Sequence, residues 1–159
     1  MDIILEFLLL GAFAGVLLIG FMVLKAKKPH NTDYKIAMGL ALAAAFLLFW
    51  VNGAVGIIGS SNNDANMMYI GVLATAFIGA LLARFQPRGL ARAMYTTAVA
   101  QVLVAVIAIA AGLGSQDPGG PWDIAALTSF YSALWVSSGV FFQKASDSEH
   151  YSSDTVAER

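Results

Sequence analysis

The chain has no cysteine among its 159 residues. It therefore cannot form disulfides, bind iron–sulfur clusters or zinc through thiolates, or carry out thiol redox chemistry. The two histidines, His30 and His150, lie outside the long apolar stretches, so no predicted helix offers an axial ligand to a buried haem. No glycine-rich phosphate loop, H-E-x-x-H or G-x-S-x-G motif is present. We expect no metal, no cofactor and no enzymatic activity.

Charged residues are also scarce, at 12% of the chain, whereas 58% is hydrophobic. A soluble domain carries about 25% charged residues. The apolar residues gather in five stretches, near 3–24, 35–59, 67–85, 90–113 and 122–143. About 20 apolar residues cross a bilayer core of about 30 Å as a helix. The sequence predicts an all-α integral membrane bundle of five transmembrane helices over residues 1–143.

The basic residues fall on one side of this predicted topology. The loops 60–66 and 114–121 and the N-terminus contain no lysine or arginine, and all nine basic residues lie in or beside the other connections and the tail. Short loops rich in lysine and arginine stay cytoplasmic, which predicts the N-terminus outside and the C-terminus inside. Residues 144–159 have no apolar face and are expected to form a disordered cytoplasmic tail. Because these charges flank helix ends, no nucleic-acid partner is expected.

Small residues recur at four-residue spacing in two of the apolar stretches. The first stripe is Gly71, Thr75, Gly79 and Ala83, and the second is Ala125, Ser129, Ala133 and Ser137. Membrane helices pack closely through such stripes, because lipid supplies no hydrophobic force that would drive helices together. The pattern predicts tight helix–helix interfaces.

A few polar residues fall at predicted membrane depth, where functional groups are usually found. Asn52 lies about two-thirds of the way along the second stretch, Gln101 lies near the middle of the fourth, and Thr97 precedes Gln101 by one turn. These three form a candidate ligand-binding pocket if their helices touch, and the last stretch could extend it with Thr128, Tyr131 and Ser132. Interhelical hydrogen bonding is the alternative role. Glu6, one turn inside the first stretch, is a further candidate that could instead reach the surface.

Three arginines mark the third connection. Arg84, Arg88 and Arg92 could converge on one anionic lipid head group. The alternative is that they are ordinary basic residues of a cytoplasmic loop.

One part of the chain resembles known proteins. The segment from Val51 to Met94, VNGAVGIIGSSNNDANMMYIGVLATAFIGALLARFQPRGLARAM, is similar to a recurring segment of small, uncharacterised (hypothetical) bacterial integral membrane proteins. The resemblance covers roughly a quarter of the chain. It implies a location in the bacterial inner membrane and brings no catalytic signature.

These observations favour a small non-enzymatic membrane protein, either an accessory subunit or a small oligomer. Its expected partners are membrane lipids and another membrane protein or further copies of itself. A small carrier or channel for a neutral or lipid-like molecule is the alternative. A membrane enzyme would need to borrow its reactive groups from a partner.

Overall fold

The computed structural model describes residues 31–54, 56–58, 64–113 and 120–157, and within these ranges it contains helices and no strand. The predicted first helix at 3–24, with Glu6, lies outside the described residues. Four helices correspond to the other four apolar stretches: α1 (Thr32–Ala54), α2 (Met68–Leu82), α3 (Pro87–Ala110) and α4 (Gly120–Ala157). A short 3-10 helix, Asp64–Met67, leads directly into α2. By length and composition, each of the four helices can cross a membrane. For α2 this span includes the 3-10 helix that precedes it.

Consecutive helices run antiparallel, and α4 packs against both α1 and α3. Asn31 fixes the start of α1: its side-chain oxygen accepts a hydrogen bond from the Tyr34 backbone N–H, which is the geometry of a helix N-cap. The amide of Asn31 also donates to the Ala145 carbonyl, about two-thirds of the way along α4. Further along, the Ser138 hydroxyl donates to the Ala37 carbonyl. The two helices therefore lie side by side in opposite directions.

The core follows a repeat of alternating three- and four-residue steps. On α4 the buried side chains are Ile124, Thr128, Tyr131, Trp135, Ser138, Phe142 and Ala145. Helices α1 and α3 carry similar rows, which include Tyr34, Ala37, Ala44 and Leu48 on α1 and Leu90, Met94, Thr97, Gln101, Ala105 and Ala108 on α3. A spacing of 3.5 residues keeps one face of a helix against its neighbours, as in left-handed bundles.

The C-terminal half of the first stripe, Gly79 and Ala83, forms an interface within the chain, whereas a Cβ atom built on Gly71 would meet nothing within 4 Å. A Cβ atom built on Gly79 of α2 would lie 2.8 Å from the Cβ of Ala93 on α3. A Cβ atom on Gly89 would lie 2.7 Å from the Cβ of Ala83. Glycine at these two positions is what allows α2 and α3 to approach so closely.

Helix α1 ends at Ala54, five residues earlier than predicted. Gly56 adopts a φ of 82°, which a glycine reaches without strain, and its N–H bonds the Val51 carbonyl at 3.1 Å. Ile57 and Ile58 then fold back into the core. The glycine-rich end of the predicted helix is thus a turn that caps the bundle.

The expectation of disorder from residue 144 onward is wrong for residues 144–157, because they continue α4. Phe142 and Ala145 are fully buried, so packing carries the helix past residue 143. Once a helix is nucleated, adding each further residue costs little. The hydroxyls of Ser148 and Ser152 donate to carbonyls four residues earlier, and so follow the helix.

Candidate functional site

Gln101 is the most deeply placed polar side chain that the sequence singles out. On α3, Ala93 meets Gly79 of α2, whereas Tyr95 meets Gly139 of α4. With about 100° of rotation per residue, Gln101 falls between these two faces and is directed toward the interior of the bundle. Its exposed fraction is 0%. Neither its amide nitrogen nor its amide oxygen has a hydrogen-bond partner in the described part of the chain.

Polar groups of α4 lie at the same level. Gln101 is six residues beyond Tyr95, so in the antiparallel helix its level is about six residues before Gly139, near residue 133. The Ser132 hydroxyl and the Trp135 indole nitrogen occur there. Both are buried, and neither forms a hydrogen bond with the described residues.

Two more hydroxyls complete this group from neighbouring turns. The Tyr69 side chain at the start of α2 reaches toward Thr128 of α4, although the two hydroxyls do not complete a hydrogen bond. Tyr69 is 0% exposed and Thr128 is 6% exposed. The five residues that share this arrangement, which we call the mid-bundle polar cluster, are Tyr69, Gln101, Thr128, Ser132 and Trp135.

Asn52 does not belong to this cluster. Ala37 meets Ser138, so Asn52, fifteen residues further along α1, is level with about residue 123 of α4. Gln101 is level with about residue 133, which separates the two by about 15 Å along the bundle at 1.5 Å per residue. The Asn52 amide instead donates to the Asn66 carbonyl at 3.1 Å. It joins α1 to the short helix before α2.

Thr97 and Tyr131 are also buried, but neither side chain has a fully buried polar atom that lacks a partner among the described residues. The Thr97 hydroxyl donates to the Ala93 carbonyl of its own helix at 2.8 Å. The Tyr131 ring packs edge-to-face on Phe130, with centroids 5.3 Å apart. The predicted pocket of Asn52, Thr97 and Gln101 is therefore not assembled. The structure instead places Gln101 with residues of the last helix and with two aromatic residues that the sequence did not single out, Tyr69 and Trp135.

Asn66 is a second residue that the sequence did not single out. Its side-chain oxygen accepts hydrogen bonds from the backbone N–H groups of Ile57 (3.0 Å) and Ile58 (2.9 Å). Asn66 is 5% exposed. It therefore fixes the turn after α1, which is a structural role rather than a binding one.

The three arginines lie at the opposite end of the bundle from Asn66, and their side chains are exposed. Arg88 and Arg92 are one turn apart on α3, while Arg84 lies in the turn before it. Arg84 and Phe85 have φ values of 49° and 57°, a conformation that non-glycine residues rarely adopt. The arginines are thus accessible to an anionic group, and their lipid-binding role stays a prediction.

Charge is confined to the surface in the described part of the molecule. Among the side chains that the structure describes, none of the Asp, Glu, Lys, Arg or His residues is buried. The same residues include no group of three or more acidic or histidine side chains that could hold a metal ion. The polar groups inside the described bundle are therefore neutral.

Comparison with family models, curated proteins and solved structures found no match to this chain. Its function has to be argued from its own residues.

Proposed function

We propose that the chain is a five-helix protein of the bacterial inner membrane that acts, without enzymatic activity, as an accessory subunit or a small oligomer. The predicted helix at 3–24 is the fifth crossing in this proposal. Four described segments with the length and composition of membrane spans support it. The nine basic residues, all assigned to one side, favour the N-terminus outside and the C-terminus inside.

The second stripe of small residues is the observation that carries the assembly role. Ser129, Ala133 and Ser137 of α4 are exposed on the outside of the bundle. The Ser129 hydroxyl donates to the Ala125 carbonyl of its own helix. Because the hydroxyl is hydrogen-bonded, its exposure to lipid costs little free energy. Small exposed side chains let a further helix approach closely, as α2 and α3 do within the chain. This surface suits a second copy or another membrane protein.

Ala133→Leu tests this role, because it adds bulk to the exposed stripe. Ala43→Leu is the matched control, since Ala43 is an exposed alanine on α1, outside the stripe. Self-association is measured by energy transfer between labelled copies in liposomes, beside membrane abundance and complementation of a deletion strain. We expect Ala133→Leu to lose self-association or, if the partner is a different protein, to lose complementation at normal abundance. Unchanged behaviour in both assays would contradict the assembly role.

A carrier or channel for a neutral molecule is the second candidate, and it is favoured by the buried amide of Gln101, which has no hydrogen-bond partner among the described residues. Gln101→Leu separates the two functions. If the chain transports nothing past Gln101, complementation falls together with membrane abundance or neither changes. If Gln101 binds a transported molecule, complementation is lost while the folded protein stays at its normal level. We expect the first result.

A further inference from the structure

The mid-bundle polar cluster contains six buried nitrogen and oxygen atoms that have no hydrogen-bond partner in the described part of the chain. They are the Tyr69 hydroxyl, both amide atoms of Gln101, the Thr128 and Ser132 hydroxyls, and the Trp135 indole nitrogen. Each buried polar group without a partner is destabilising, and no bulk water reaches the interior of a membrane bundle. Six such atoms within about two helical turns of one another therefore indicate a missing partner rather than independent defects.

The hydroxyls of this cluster also behave differently from others in the same helices. Thr75, Thr96, Thr97 and Ser129 each donate to the carbonyl four residues earlier. This is the usual way in which a hydroxyl is satisfied inside an apolar helix. Thr128 and Ser132 have the same option and do not use it. Their hydroxyls remain available to a partner from outside their own helix.

We propose that the mid-bundle polar cluster binds a neutral molecule of a few heavy atoms that both donates and accepts hydrogen bonds. The Trp135 indole only donates, the Gln101 amide donates and accepts, and the three hydroxyls do both. A guest must therefore offer acceptors as well as donors. Water is the smallest molecule with this chemistry, and a small amide or alcohol shares it.

Charge and enclosure limit the guest further. None of the charged side chains that the structure describes is buried, so an ion at this depth would lack a counter-charge. Gln101 and Tyr69 are 0% exposed and Trp135 is 1% exposed, which leaves no open groove for a long chain. The site is independent of the assembly role proposed above, because it lies inside one bundle and the small stripe lies outside.

The Trp135 indole proton provides a direct test. The full chain is placed in lipid nanodiscs with ¹⁵N-labelled indoles, and magnetisation transfer from water to each indole proton is measured. The chain has three tryptophans, and Trp50 and Trp122 are 60% and 83% exposed, so they serve as references. A second arm titrates acetamide, a neutral amide, and follows the Trp135 resonance.

Water transfer to Trp135 that disappears in Gln101→Leu identifies bound water as the guest. A saturable acetamide shift identifies a small solute, and Ser132→Ala should weaken it about tenfold, the loss of one hydrogen bond. Thr96→Val is the matched control, since Thr96 is exposed and bonds its own helix. If Gln101→Leu fails to fold, Ser132→Ala tests the same site. Absence of both signals at Trp135, or equal signals in the wild type and the variants, would overturn the proposal.

Discussion

The hydroxyl of Tyr34, at the start of α1, donates a hydrogen bond of 3.0 Å to the backbone carbonyl of Phe85, in the turn between α2 and α3. Phe85 and its neighbour Arg84 both have positive φ values. A left-handed conformation costs a non-glycine residue about 1–2 kcal/mol. The Tyr34 ring also packs edge-to-face on Phe142 of α4. One buried tyrosine thus ties a strained turn to two other helices.

Tyr34→Phe should destabilise the protein by about 1 kcal/mol, since it removes one hydrogen bond and keeps the ring. Tyr95→Phe is the matched control, because the Tyr95 hydroxyl bonds the Gln143 side chain at an exposed position. Thermal unfolding in detergent measures both variants. Equal stability of Tyr34→Phe and the wild type would show that the bond does not hold the turn.

Arg84→Gly should stabilise the protein by about 1 kcal/mol in zwitterionic lipid, because glycine adopts φ of 49° without strain. If Arg84 binds a lipid head group, that gain should shrink by about 1 kcal/mol in bilayers rich in phosphatidylglycerol. Arg88→Ala provides the control, since Arg88 is exposed and lies in ordinary helix. A loss of stability for Arg84→Gly in zwitterionic lipid would argue against a strained turn.

Gly79→Leu should damage folding severely, by about 3 kcal/mol or more, because even a Cβ atom there would lie 2.8 Å from Ala93. Gly71→Leu makes the same change on the same helix, where a Cβ atom would meet nothing within 4 Å. Leu81→Ala, at a side chain that is 48% exposed, should also be mild. Folded yield and thermal stability in detergent compare the three. If all three variants were equally stable, the contact between Gly79 and Ala93 would not be a close helix–helix interface.

Asn66→Ala should cost about 2–4 kcal/mol, because it leaves the buried N–H groups of Ile57 and Ile58 without an acceptor. Asn52→Leu removes one donor and should cost about 1 kcal/mol. Denaturant unfolding of both variants gives the comparison. A larger loss for Asn52→Leu would reverse the assignment of Asn66 as the residue that fixes the turn.

The proposed orientation can be tested by cysteine labelling, since the chain has no cysteine of its own. A single cysteine in place of Ser61 or Gly119 should react with an impermeant reagent in intact cells. A cysteine in place of Ser148 should be protected until the membrane is opened. Labelling of the Ser148 variant in intact cells would falsify the orientation.

The four described helices were predictable because apolar length and composition are local properties of the chain. The end of α1 was not, because Gly53, Gly56 and Gly59 are compatible with a weakened helix as well as a turn. The turn after α1 is fixed by the hydrogen bonds from the Ile57 and Ile58 N–H groups to Asn66. In the sequence, Asn66 is only one of several turn-forming residues. A contact between distant residues carries no local signal.

Some features of the candidate site could likewise be predicted from the sequence, and others could not. The burial of Gln101 was suggested by its position in an apolar stretch. The neighbours of Gln101 depend on how the antiparallel helices are aligned along the bundle. That alignment places Asn52 about 15 Å from Gln101 along the bundle axis. Trp135 was detectable, since it lies seven residues after Thr128, on the same face of the helix. Tyr69 was not, because nothing in its own helix indicates that it reaches α4.

Helix α4 has 38 residues, which makes it about 57 Å long, whereas a bilayer core is about 30 Å thick. In the proposed membrane orientation, with the helix near the membrane normal, about 27 Å of it would stand clear of the hydrocarbon. This C-terminal portion of α4 is a rigid extension of the same helix that packs in the bundle. A 10° tilt of the buried portion would displace its tip sideways by about 5 Å. In that orientation its position in the aqueous phase would report the tilt of the membrane-spanning helices.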